Sequence, residues 1–108
     1  MTVRDLLDST DLTAAALPDG EREITGVYMG DLLSWVMGRA SSGDAWITIM
    51  SNRNIAAVAA LTDTACILLA EGVRPDEGVA ALAEQKGINL LCSEHSAYET
   101  ALLLRDRL

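Results

Sequence analysis

The chain has 108 residues, of which 50% are hydrophobic, and its 16 acidic against 8 basic side chains give a formal net charge of -8. This length and hydrophobic content predict one folded domain over residues 1–108 and exclude a disordered chain. The acidic excess argues against nucleic acid or an anionic membrane as a partner, because both require a basic surface.

The two cysteines, Cys66 and Cys92, lie in apolar segments and form no CxxC pair. A single disulfide between them stays open, but small oxidised domains usually carry more cysteines, so we favour two buried thiols. The first residues carry charged side chains and no signal-peptide core. No apolar run reaches the roughly 20 residues of a membrane helix. We therefore expect a cytoplasmic protein.

The first 30 residues predict one short helix and two strands. Residues 3–7 have helical character, with Thr2 as a possible cap and Asp5 in the first turn. Residues 12–17 are apolar and end at a Pro-Asp-Gly turn, which favours a short strand. Residues 23–29 alternate in polarity, which also indicates a strand.

From residue 30 onward, predicted helices and strands alternate. Asp31 is the predicted N-cap of a helix over residues 32–40, and residues 45–50 form the clearest strand. Ser51 and Asn52 offer the cap of a helix over residues 53–61. Residues 65–70 are apolar throughout, which indicates a strand buried on both faces.

The same alternation continues to the last residues. Asp76 is the predicted cap of a helix that runs to residue 86, and Gly87 occupies the left-handed position that ends such helices. Residues 88–92 form a short strand. Ser93 caps a last helix, in which we expect Tyr98 to face inward.

This order of elements predicts the fold class. Strands that alternate with helices over short connections pair in parallel through right-handed crossovers. Because the strands are apolar at nearly every position, helices should cover both faces of the sheet. We predict an α/β fold, a three-layer α/β/α sandwich with a mostly parallel sheet of about five strands. The strand order stays open.

A ligand site in such a sheet is expected at the carboxyl ends of the strands, near a switch point in strand order. Residues 51–54 form the one cluster there with hydrogen-bond donors and a positive charge, although a helix cap with a solvated arginine is the simpler interpretation. The candidate ligand-binding residues at these ends are Gly30, Asp31, Ser51, Asn52, Arg53, Ser93 and His95.

Other chemistries find little support in the sequence. Neither GxGxxG nor GxxxxGK[ST] occurs, and acidic side chains at the strand ends would repel a phosphate. With one histidine and no closely spaced cysteines, we expect no metal site and no cofactor. Cys92 and His95 are close enough in sequence to meet, but a buried thiol is inert and no third group orients them. We therefore expect no catalytic residues and no enzyme activity.

The aromatic residues bear on self-association. Trp46 lies on a buried strand and should belong to the core. Trp35 could form an exposed apolar patch with Met29 and Met37, although we favour a core position for it. A small domain has little interior for a half-hydrophobic chain, so some apolar side chains should remain at the surface. A homodimer is the commonest arrangement that covers them.

Two segments resemble the signature of the DRTGG domain family. They are residues 21–34 (EREITGVYMGDLLS) and residues 43–52 (GDAWITIMSN). The chain has Glu21 where the family name suggests Asp, and a single Gly26 before Val27. The resemblance extends over nearly the whole chain and implies a stand-alone DRTGG protein.

The resemblance implies an accessory or regulatory role without catalytic activity. DRTGG domains occur beside CBS domains and in some phosphotransacetylases. The domain is similar to the N-terminal domain of HPr kinase/phosphorylase, which lacks the kinase active site.

Two functional hypotheses follow. The first is a non-enzymatic regulatory or accessory domain that acts through self-association and protein partners. The alternative is a small-molecule sensor that binds a nucleotide or an acyl metabolite at the carboxyl edge of the sheet. An uncharged ligand group would fit better than a naked phosphate beside Asp31 and Glu94.

Overall fold

Five helices and five strands make up the computed structural model, which describes residues 1–108. The strands are β1 (Thr13–Ala16), β2 (Gly26–Met29), β3 (Asp44–Thr48), β4 (Cys66–Leu69) and β5 (Leu90–Cys92). The helices are α1 (Val3–Ser9), α2 (Leu33–Arg39), α3 (Asn54–Thr62), α4 (Val79–Lys86) and α5 (Ala97–Arg105). Each of these elements lies within or beside a segment that the sequence predicts for it.

The strands form one sheet in the order β1-β5-β4-β3-β2. The pairs β2–β3, β3–β4 and β4–β5 are parallel, and β1 pairs antiparallel with β5. β3, β4 and β5 are buried at every position. The predicted mostly parallel α/β sheet of five strands is therefore confirmed.

Two hydrophobic clusters lie on opposite faces of the sheet. One contains Trp46 and Ile67 of the strands and packs under α2, α3 and α4, while the other contains Ile47 and Leu68 and packs under α1 and α5. Neighbouring strand residues thus point to opposite faces, as strand geometry requires. The result is the predicted three-layer sandwich, with three helices on one face and two on the other.

The predicted switch point in strand order is absent, which corrects that expectation. All three crossover helices pack on the same face, so the order advances from β2 to β5 in one direction. The chain passes from β1 to β2, at the opposite sheet edge, through residues 17–25 beneath the amino ends of the strands. There, the Asp19 amide bonds to the Asn89 side chain (3.0 Å), and the Thr25 amide bonds to the Gly43 carbonyl (2.9 Å).

Two predicted helix ends are confirmed. Thr2 caps α1 in a capping box, in which the Thr2 hydroxyl accepts from the Asp5 amide and the Asp5 carboxylate accepts from the Thr2 amide, each at 3.0 Å. Gly87 ends α4 in the left-handed conformation, with φ of 76°.

Three predicted caps are wrong. Asp31, Asp76 and Ser93 each precede a helix by more than one residue and do not cap it. The cap positions are Leu32, Gly78 and Ser96. Only Ser96 caps with its side chain, whose hydroxyl accepts from the Glu99 amide at 3.1 Å. The three predicted residues instead bond to neighbouring loops or helices, as described below.

The aromatic residues divide between core and surface. Trp46 is fully buried as predicted, whereas Trp35 is 52% exposed and Tyr98 is 70% exposed, so the expectation that they face inward is wrong. The inward residues of α5 are Thr100 and Leu104, four positions apart, and Tyr98 lies off that side.

Both cysteines are buried and unpaired, as predicted. Cys66 and Cys92 belong to clusters on opposite faces of the sheet, so the sheet itself separates the two thiols. Burial raises the pKa of the Cys66 thiol to about 12. No helix combines the length and the apolar character needed to cross a bilayer.

Candidate functional site

The carboxyl edge of the parallel strands carries the candidate ligand-binding residues. Four loops leave from this edge, one after each of β2, β3, β4 and β5. Because the four strands run in the same direction, these loops form a continuous rim.

The loop after β2 is tied to the end of β3. The Asp31 carboxylate accepts hydrogen bonds from the Thr48 hydroxyl (2.8 Å) and from the Ile49 amide (3.0 Å). The Gly30 carbonyl accepts from the Trp46 indole N–H (2.9 Å). Asp31 therefore joins two strand ends and leaves the helix after it without a side-chain cap.

The loop after β3 contacts the loop after β4. The Ser51 hydroxyl donates to the Asp76 carboxylate (2.8 Å), and the Asp76 amide donates to the Ser51 carbonyl (3.0 Å). The Asn52 side-chain oxygen accepts from the Asn54 amide (2.9 Å) and so stabilises the first turn of α3. The N-cap position itself is Arg53 and not Ser51 or Asn52, the predicted caps.

The loop after β5 bonds to α5 and to the segment before β1. The Ser93 hydroxyl is buried and lies 2.8 Å from the Thr100 hydroxyl of α5, and it accepts from the His95 amide at 3.1 Å. The His95 ring nitrogen Nε2 lies 2.9 Å from both carboxylate oxygens of Asp11, in the segment between α1 and β1.

The contact between His95 and Asp11 changes the pKa of each group. The hydrogen bond to Asp11, and then its negative charge, raise the pKa of His95 above 6.5. The same hydrogen bond lowers the pKa of Asp11 below 3.8. The protonated imidazole and the ionised carboxylate thus stabilise one another.

The loop after β4 holds the centre of the rim together. Glu71 and Gly72 both adopt left-handed backbone conformations, with φ of 63° and 73°. Their amides donate to the carbonyls of His95 (2.7 Å) and Ser93 (2.9 Å). The Glu71 carboxylate accepts from the Ala97 amide in the first turn of α5 (2.7 Å), where a negative charge is favourable.

The predicted residues therefore form one linked rim and not one pocket. The loop of residues 70–76 bonds both to Ser51 in the loop after β3 and to Ser93 in the loop after β5. Asp31 bonds only to the end of β3. Arg74 of the joining loop forms an ion pair with Glu94. Most polar side chains at this edge are satisfied by partners within the protein.

Arg53 differs from the other candidates because its side chain forms no hydrogen bond or ion pair and lies in a groove. The groove encloses about 290 Å³ between the starts of α3 and α4. It is lined by Arg53, Glu77, Gly78, Val79, Ala81, Leu82 and Gln85. Arg53 is its one positive charge, and Glu77 is its one negative charge.

Exposed apolar side chains surround the open edge of β2. They lie on β2 itself, on the loops after β2 and β3, and on the two helices that flank this edge, α2 and α5. We call this region the β2 apolar surface. Its members are Val27, Met29, Leu32, Trp35, Ile49, Tyr98 and Leu108, between 38% and 70% exposed.

Part of the β2 apolar surface is a second groove of about 390 Å³ between β2 and α5. Its lining residues are Val27, Tyr98, Ala101, Leu102, Arg105 and Leu108. Five of these six are hydrophobic, so the groove suits an apolar occupant. Trp35, Met29 and Met37, considered from the sequence as one patch, are all exposed, but Met37 is two positions from Trp35 on α2 and lies on the other side of that helix.

Nothing in the sequence indicated a role for either Asp11 or Glu71. Asp11 lies before the strand that turned out to be antiparallel, which brings the start of β1 beside the carboxyl end of β5. Glu71 is an ordinary acidic loop residue in sequence, and only its left-handed backbone and its bond to Ala97 distinguish it. No local pattern signals either contact.

The structure contains no group of three or more histidine, cysteine or acidic side chains placed to hold a metal ion.

A family model described as "DRTGG domain" matches residues 19–106. No curated protein matches the chain. The family match confirms the DRTGG resemblance that the sequence suggested.

One similar solved structure is the crystal structure of the CBS and DRTGG domains of the regulatory region of Clostridium perfringens pyrophosphatase, complexed with its activator, diadenosine tetraphosphate. The TM-score is 0.71 with 16% sequence identity, over 94% of this chain and 45% of that chain. At this identity the similarity shows the fold alone. This chain spans less than half the length of that structure.

Proposed function

The chain belongs to the DRTGG domain family, and we propose that residues 1–108 form a single DRTGG-like domain with a regulatory or accessory, non-catalytic role in the cytoplasm. In this proposal the domain acts by associating with a second copy of itself or with a protein partner. The observation that carries the proposal is the β2 apolar surface.

The size of this surface supports a role in association. Exposed hydrophobic residues that occur singly are normal, but contiguous apolar patches of several hundred Å² are typical of interaction sites. The β2 apolar surface borders an unpaired strand and includes Trp35 and Tyr98, two side chains of the kind enriched at interfaces. Burying its exposed carbon atoms would be favourable by about 25 cal/mol per Å².

Analytical ultracentrifugation over a wide concentration range tests the self-association. We expect the weight-average mass to rise from 11.5 kDa towards that of a dimer. A strict monomer at the highest concentration would contradict self-association and leave only a heterologous partner for this surface.

We propose as the second candidate a small-molecule sensor that takes a nucleotide or acyl metabolite at the carboxyl edge. The groove beside Arg53 supports it, because the guanidinium is unpaired and the groove opens between the starts of two helices. Ser51 and Asn52 would shape the loop that presents Arg53. Gly30, Asp31 and His95 would contact the remainder of the ligand along the rim, and the buried Ser93 hydroxyl would hold the loop that presents His95.

The similar pyrophosphatase structure supports a nucleotide as the first ligand to test, since its regulatory region binds diadenosine tetraphosphate. Thermal-shift measurements with diadenosine tetraphosphate, ATP, coenzyme A and acetyl phosphate would detect binding. We expect one of them to raise Tm in wild-type protein and not in Arg53→Ala. Lys86→Ala is the matched control, because Lys86 is an exposed cation in the last turn of α4 and does not line this groove. An equal response in all three proteins would exclude Arg53 as the contact.

A further inference from the structure

We propose that two copies of this chain pair through their β2 strands in antiparallel orientation, so that two five-stranded sheets join into one. This inference rests on the proposed self-association and names the partner and the surface. β2 lies at the edge of the sheet and pairs with β3 alone. An unpaired strand edge presents backbone groups to which another strand can add.

The backbone of β2 determines the register of this pairing. The Gly30 amide donates to the Ile47 carbonyl of β3 at 3.1 Å. In a parallel ladder, alternate residues direct their N–H and C=O groups to the same neighbour, so Tyr28 faces β3 as Gly30 does. The N–H and C=O groups of Val27 and Met29 then point away from β3, towards the open edge of the sheet.

A twofold axis beside Tyr28 allows the largest number of these outward N–H and C=O groups to form hydrogen bonds between the two copies. It sets Val27 of each copy opposite Met29 of the other, and each such antiparallel pair exchanges two backbone hydrogen bonds. Any other antiparallel register pairs fewer of the outward groups of so short a strand. The interface is isologous, so it closes as a dimer and does not propagate.

The other open edge of the sheet, β1, is less suited to pairing. Its register with β5 shifts between Ala14 and Ala16, and such bulges interrupt strand edges. Its side chains are alanine and threonine, which offer little area. β2 pairs regularly from Gly26 to Met29 and carries neither proline nor a charged residue.

The area of the β2 apolar surface matches what a stable dimer needs. A large apolar side chain that is half exposed leaves roughly 100 Å² open to solvent. The seven members of this surface therefore present on the order of 700 Å², which is close to one partner's share of a standard interface. Val27 and Met29 lie at its centre, and α2 and α5 flank it on the two faces of the sheet.

The charges at the two ends of β2 are complementary under this symmetry. Asp31 follows the carboxyl end of the strand, whereas Arg39 and Arg105 lie in the last turns of α2 and α5, towards the amino end. Antiparallel pairing brings the carboxyl end of one β2 beside the amino end of the other. The arginines of each copy thus approach Asp31 of the other, although Arg105 also lies 3.7 Å from its neighbour Asp106.

The test compares sedimentation of wild-type protein with Met29→Pro. Proline is compatible with an edge strand where its missing N–H would face solvent, so the monomer should fold. In the dimer it removes one donor from each copy, and we expect the dissociation constant to rise about 10- to 100-fold. Met29→Lys, a natural device for blocking strand edges, is the second variant in case the proline variant misfolds.

Leu61→Lys is the matched control, because Leu61 is 76% exposed on α3, away from this surface. We expect it to dimerise like the wild type. Folded Met29→Pro and Met29→Lys proteins that dimerise as well as the wild type would overturn β2 pairing and leave self-association intact. A wild-type monomer would overturn both proposals.

Amide hydrogen exchange provides a readout at single residues. We expect the Val27 and Met29 amides to be protected at concentrations where the dimer forms and to exchange quickly after dilution to monomer. The Tyr28 amide, which faces β3, should remain protected in both states. Exchange of the Val27 and Met29 amides that does not depend on concentration, in a protein shown to be dimeric, would contradict the proposed register.

Discussion

The carboxylate of Asp31 accepts two hydrogen bonds from the end of β3, at 2.8 Å from the Thr48 hydroxyl and 3.0 Å from the Ile49 amide. Thr48 is only 2% exposed, so its hydroxyl has little access to water. A residue that looks in sequence like a helix cap therefore fixes the β2–α2 loop to the neighbouring strand.

Replacing Asp31 with alanine should destabilise the protein. The change leaves the buried Thr48 hydroxyl without its acceptor, and we expect the free energy of unfolding to fall by about 1–2 kcal/mol. Urea denaturation measures this difference. Asp31→Asn retains one side-chain oxygen as an acceptor and should lose less. Equal stability of the alanine variant and the wild type would contradict a structural role for this carboxylate.

The buried thiols should resist alkylation in the folded protein. Cys66 is fully buried, and burial raises its pKa to about 12, so the reactive thiolate is scarce at neutral pH. Cys92 is 4% exposed on the other face of the sheet. We expect iodoacetamide to modify neither residue within the time that modifies free cysteine, and both after unfolding in urea. Rapid modification of Cys92 in the native state would reopen its candidacy as a nucleophile.

The His95–Asp11 pair predicts a pH dependence of stability. Because Asp11 raises the pKa of His95, the contribution of His95 is complete below pH 6.5 and is lost as pH rises through the raised value. Because the pKa of Asp11 is lowered, its contribution is present above pH 3.8 and is lost as pH falls through the lowered value. The pair therefore stabilises the fold between these limits.

Asp11→Asn tests this dependence. We expect its loss of stability relative to the wild type to be largest near pH 5 and to shrink in alkaline buffer. An NMR titration of His95, the single histidine of the chain, should show a lower pKa in the variant. Asp8→Asn, on the exposed side of α1, controls for the change in net charge. An unchanged His95 titration in Asp11→Asn would show that the contact does not form in solution.

Replacement by alanine should change the free energy of unfolding in opposite directions at two glycines. Gly72 has a φ of 73°, and a Cβ there would lie 3.1 Å from a carboxylate oxygen of Glu94, so Gly72→Ala should cost about 1–2 kcal/mol. Gly38 lies inside α2 with open space around it, so Gly38→Ala should stabilise the protein by about 0.5–1 kcal/mol. Urea denaturation of both variants provides the comparison. A stabilised Gly72→Ala would contradict the left-handed conformation of this loop.

The fold was predictable because its strands are apolar runs and its helices lie between them. The segment from Ala45 to Thr48 is buried at every position, which is the pattern of a strand covered on both faces. The direction of β1 was not predictable. No helix links β1 to β2, and the rule that relates crossovers to parallel pairing applies only where a helix intervenes.

The rim was predictable only in part. Asp31, Asp76 and Ser93 have the chemistry of caps, but their side chains bond to residues that lie 17, 25 and 7 positions away. Such partners become neighbours only when the sheet forms, so no local pattern reveals them. The exposure of Trp35 and Tyr98 was missed for a related reason, since helical spacing does not show how far the sheet extends beneath a helix.

The pairing of β1 with β5 joins residues 13 and 92. Contacts this distant in sequence slow folding, because the intervening chain must lose its freedom before they form. During synthesis, the ribosome must therefore release nearly the whole chain before this margin of the sheet closes. Until then β1 has no partner strand. A truncated chain that lacks β1 would instead leave one edge of the hydrophobic strand β5 open to chaperones or to other unfolded chains.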